Sequence, residues 1–125
     1  MLIGARVRGS LSDHVRAASA LLTAFEITGR LPYSMLAEEL MQLSLRELLN
    51  DAGGDTLVEQ CEAARVLCRL AALHGDPEYR GAAVIATGAN YHTEAARILE
   101  AQSSRARAAP LAHAAAYGLA LLDLR

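Results

Sequence analysis

Tryptophan and lysine are both missing from this chain, and it holds a single phenylalanine. With aromatics at 4% of 125 residues, the core has to come from Leu, Ala, Val and Ile, which favours close-packed helices over an aromatic-rich sheet. Charge of one sign is also scarce, since the formal net charge is −2. No overall field therefore draws in nucleic acid or an anionic membrane surface, and neither is expected as a partner. Nowhere do 18 apolar residues run uninterrupted, and the start, MLIGARVRGSLSD, lacks the apolar stretch of a signal peptide. The expectation is a cytoplasmic protein.

Cysteine is nearly absent as well. Cys61 and Cys68 stand seven apart in one expected helix, so about 10 Å of helix separates them along one face and they cannot bridge. Neither belongs to a CxxC pair or a zinc spacing. They read as buried structural thiols of a reducing compartment. The absence of lysine leaves arginine as the only permanent cation, which we take as a compositional habit of the source genome. Only Arg97, Arg105 and Arg107 cluster, near a helix end where cations complement exposed carbonyls.

What is present is helical periodicity. Residues 1–9 are expected to form a flexible arm and 10–125 a single helical-hairpin domain. Ser10 with Asp13 resembles a capping box, and Val15, Ala18, Leu22 and Phe25 follow at spacings of three and four. Gly29 is the expected stop, and Pro32 suits the first turn of a second helix. In that helix Leu36, Leu40 and Leu43 are expected to form the buried stripe, with Glu38, Glu39 and Arg46 on the wetter side. Asn50 to Gly54 reads as a stop. Thr56 with Glu59 forms a capping box opening a third helix, whose apolar set is Leu57, Cys61, Ala64, Cys68 and Ala71, closed by Gly75. Asp76-Pro77-Glu78 is a further helix entry. A break is expected between Ala82 and Asn90, then a helix over Tyr91 to Gln102, a polar link at Ser103-Ser104-Arg105, and a final helix from Pro110. A shift of 46 residues places Gly29 on Gly75 and Tyr33 on Tyr79. A repeat of about 40–47 residues suits stacked helix pairs.

Three segments carry a family resemblance: DHVRAASALLTAFEITGR followed by YSMLAEEL, CEAARVLCRLAALHGDPEYRGAAV, and YHTEAARIL continuing through Pro110 to AAAYGLALL. Together they resemble the carboxy-terminal hairpins of the α/α toroid in bacterial thioredoxin-domain proteins of the YyaL type. That toroid belongs to the six-hairpin superfamily shared with N-acylglucosamine 2-epimerases and several glycosidases. The resemblance implies an all-α fold of five or six helices in stacked antiparallel hairpins, a partial α/α toroid. The chain has no room for the family's thioredoxin domain and supplies about half the helices of a closed ring. The linker Asn50 to Asp55 is also short. The pattern therefore implies a fragment or a degenerate standalone version, with no active-site residue carried over.

Chemistry-bearing residues are scattered. His14, His74, His92 and His113 make no pair with ligand spacing, and no metal site is assigned. Ser12, Ser103 and Ser104 lack a nucleophile elbow, and neither Gly88 nor Gly53-Gly54 starts a phosphate loop. Glu38/Glu39 and Glu59/Glu62 are the carboxylate pairs that toroid-cavity acid–base work would need, though a solvated face and a helix cap account for them. Tyr33, Tyr79, Tyr91 and Tyr117 read as packing residues, a sugar platform being the sharper alternative. No catalytic, cofactor-binding or metal-binding residue is assigned, and no cofactor is expected. The expected function is a non-catalytic structural or protein-interaction module, a homodimer through apolar helix faces such as Leu111 to Leu122. The alternative is a carbohydrate-binding or carbohydrate-active remnant.

Overall fold

A computed structural model of the chain describes residues 11–47, 56–82 and 90–125. Among these residues the protein is all-α: seven helices and no strand. The expected arm at 1–9, the Ser10 cap, the stop at Asn50 to Gly54 and the interior of the break at 83–89 lie outside the described residues. The chain divides into two compact units, Met1–Gly53 and Gly54–Arg125.

The first unit is a helical hairpin of α1 (Leu11–Thr28) and α2 (Leu31–Glu47), which pack together. Gly29 ends α1 with φ +71°, and its N–H donates to the Phe25 carbonyl at 2.7 Å. That left-handed conformation is open to glycine at little cost, and it reverses the chain within two residues. From α1 the hairpin buries Leu11, His14, Val15, Ala18 and Leu22, a run with helical spacing.

The α2 face departs from expectation. Leu36 is 46% exposed, whereas Glu38 is 2% exposed, and the buried set is Ser34, Ala37, Glu38, Met41 and Ser44. Hydrophobicity alone points to the leucine stripe. The packed stripe lies one residue further on and is built mainly from small side chains, which let two backbones approach. Its serines satisfy themselves: Ser34 Oγ donates to the Leu31 carbonyl and Ser44 Oγ to the Leu40 carbonyl, so neither buries an unpaired hydroxyl.

The second unit is organised around α3 (Leu57–His74), which packs against α4 (Pro77–Ala82), α5 (Tyr91–Ala101) and α7 (Leu111–Leu124). A short α6 (Ser103–Ala108) connects α5 to α7 and occupies the stretch expected as a polar link. The capping box is formed: the Thr56 hydroxyl accepts from the Glu59 N–H at 3.1 Å, and the Glu59 carboxylate accepts from the Thr56 N–H at 3.0 Å. Neighbours on several sides explain why α3 buries Leu57, Gln60, Cys61, Ala63, Ala64, Val66, Leu67 and Leu70, far more than one stripe. Asp76 caps α4 by accepting from the Glu78 N–H, and Asn90 caps α5 by accepting from the Thr93 N–H. The separate helix expected from Tyr91 is present. The two halves of the 46-residue echo are not alike at their glycines, for Gly75 closes α3 with φ −80°. Tyr33 is half-buried and Tyr79 buried.

Candidate functional site

The feature of unit 2 that its own packing does not explain is α7. Its sequence, LAHAAAYGLALLDL, is dominated by Leu and Ala, yet only Ala120 is buried. Leu111 is 87% exposed, Leu122 58% and Leu119 49%. With Ala115, also exposed, these residues fall at spacings of four, four and three, so they line one side of the helix. The side is wholly apolar. Pro110 precedes it with extended backbone and no side-chain cap, and its carbonyl accepts from the N–H groups of His113 and Ala114.

The opposite side of α7 is fastened at its last turn. Arg65 of α3 donates its Nε–H to Asp123 Oδ2 in an ion pair between half-exposed side chains. His92 of α5 places Nε2 2.8 Å from the Leu124 carbonyl, one of the carbonyls a helix end leaves unpaired. Both contacts join residues far apart in the chain, so no local pattern announces them. Cys68 lies one turn beyond Arg65, and burial together with the Asp123 charge raises its thiol pKa, while Arg65 acts in the opposite sense. Burial pushes the Cys61 thiol from its ordinary value up to about 11, with Arg105 opposing and Glu62 reinforcing the shift. Both cysteines are free thiols. Protonated and enclosed, Cys61 is a packing residue rather than a nucleophile.

The other candidates take local places. His74 closes α3 against two buried tyrosines, its ring centroid 5.0 Å from Tyr91 in an edge-on arrangement and 6.1 Å from Tyr79. His14 is buried in α1, and His113 is exposed on α7. Among the described residues no group of three or more His, Cys, Asp or Glu side chains could hold a metal ion. Glu59 is engaged in its cap, Glu62 and Glu39 are exposed, and Glu38 is buried. Ser103 Oγ donates to the Glu100 carbonyl. Of the clustered arginines, Arg97 pairs with Glu94 at 2.7 Å, Arg105 donates to Gln102 Oε1 at 2.9 Å, and Arg107 is exposed. Arg97 and Arg105 serve as local helix contacts. Among the described residues no helix is long and apolar enough to cross a membrane.

These features define a class, an all-α protein with a mostly exposed apolar helix at the surface of its second unit. No family model matches the chain, and neither a curated protein nor a solved structure matches it.

Proposed function

We propose that the protein is a non-catalytic protein-interaction module, its helical hairpins of the kind that stack in α/α toroids, and that two copies associate through the outer side of α7. The observation carrying this reading is the unbroken exposed line Leu111, Ala115, Leu119 and Leu122. Contiguous apolar surface on a folded protein is ordinarily covered by a partner. A single helix side set against its own copy makes an isologous contact, the commonest closed arrangement. The thiols of Cys61 and Cys68, both free, suit work in a reducing compartment such as the cytoplasm.

Sedimentation velocity over micromolar concentrations tests the proposal. A dimer is expected for the unaltered chain, and a monomer of unchanged helicity for the doubly substituted Leu111→Glu, Leu122→Glu chain. A monomer at every concentration for the unaltered chain overturns it.

A further inference from the structure

α7 rests on α3, α5 and α6 but buries little of its own surface in doing so. Ala120 is its only buried residue, while Ala114, Ala116, Tyr117, Gly118 and Leu124 are half-buried. Its polar fastenings, Arg65 to Asp123 and His92 to the Leu124 carbonyl, both lie at the C-terminal end and both are exposed to water. At the other end Ala109 and Pro110 are extended, with ψ 156° and 155°, and part α7 from α6. A short extended joint at one end with these fastenings at the other is the layout of a strap.

We propose that α7 opens as one piece about the Ala109–Pro110 joint, ahead of the unfolding of α3 and α5, and that its C-terminal fastenings set how often it does so. Local opening is easiest where little apolar surface is buried and the holding contacts face solvent. α7 meets both conditions. α3 fails the first, since Cys61, Leu67 and Leu70 are fully enclosed. The inference does not depend on self-association, and its test is run at a dilution where sedimentation shows single copies.

The test compares two enclosed thiols in one chain carrying Ala120→Cys and Cys68→Ser. One is the native Cys61 in α3, and the other is the thiol introduced on the inner side of α7. Labelling by a small alkylating reagent, followed by mass spectrometry, is expected to modify the introduced thiol at least about tenfold faster than Cys61. Adding Asp123→Asn is expected to speed labelling of the introduced thiol roughly two- to five-fold, the range of an exposed ion pair, and to leave Cys61 unchanged. Equal rates at the two thiols, or an Asp123→Asn effect shared by both, overturn the proposal. Because the added sulfur could itself loosen α7, amide hydrogen exchange on the unaltered chain provides an independent reading. Amides of residues 115–123 are expected to exchange before those of α3 and α5, and equal protection overturns the proposal.

Discussion

α3 and α7 are both Leu- and Ala-rich helices of the same unit, and they are used in opposite ways. α3 carries two arginines and two glutamates and buries eight residues. α7 carries one charged residue and buries one. Apolar content therefore does not predict burial here; a central or marginal place in the unit does. α3 is flanked by α4, α5 and α7, so residues on most of its circumference meet protein. α7 lies at the margin and keeps four of its five leucines exposed. What is conspicuous in α3 is packing, and what is conspicuous in α7 is surface that the unit itself does not consume.

The sharpest way to break this contrast is truncation. Leu67→Ala removes a fully enclosed side chain from α3 and is expected to cost about 2–5 kcal/mol in urea unfolding. Leu122→Ala in α7 is expected to stay within about 0.5 kcal/mol when measured on single copies. Comparable losses at the two positions would mean that α7 is as well packed as α3.

Alkaline pH provides the next test. The folded pKa of Cys61 lies above its ordinary value of 9.0, at about 11, because burial favours the neutral thiol. A raised pKa contributes stability that is fully present below pH 9 and is lost as pH climbs toward 11. The loss at pH 11 is expected to be about 2 kcal/mol in denaturant unfolding, from 1.36 kcal/mol per pKa unit, and is expected to be missing in Cys61→Ala.

A smaller effect separates the two helix starts. Thr56→Ala breaks the capping box of α3 and is expected to cost about 1 kcal/mol by thermal unfolding. Pro110 provides no side-chain cap for α7, so no equivalent loss exists there. The smallest effect is the clasp between the two helices. A double-mutant cycle over Arg65→Gln and Asp123→Asn is expected to give a coupling of about 0.2–1 kcal/mol, reduced by added salt, because both side chains are partly solvated.

Much of this organisation is legible in the residues themselves. The Thr56 and Glu59 box, the Asp76 entry and the stop at Gly29 are local chemistry, settled within four residues of chain, and each is found where its pattern places it. The Leu111 to Leu122 helix is legible as an apolar face, although periodicity does not say that it lies at a margin. Contacts set by the fold were out of reach. Arg65 meets Asp123 across 58 residues and His92 meets Leu124 across 32, so neither clasp has a local signature. Ser103-Ser104-Arg105 looked like a link because serine favours turns. It is helical because the Gln102 carbonyl accepts from the Ala106 N–H and carries the winding onward from α5.

The two-residue reversal at Gly29 has a consequence for the whole of α2. Residues Ala37, Met41 and Ser44 face inward, and Leu36, Leu40 and Leu43 form a parallel line one position earlier. One residue turns a helix by about 100°, so the length of the reversal, acting like the indexing of a gear, decides which line engages α1. α2 thus carries two candidate surfaces on one rod. Lengthening the reversal by a single residue re-indexes the rod: a fatter, leucine-toothed line would be offered to α1, while the carboxylate of Glu38 would swing toward water.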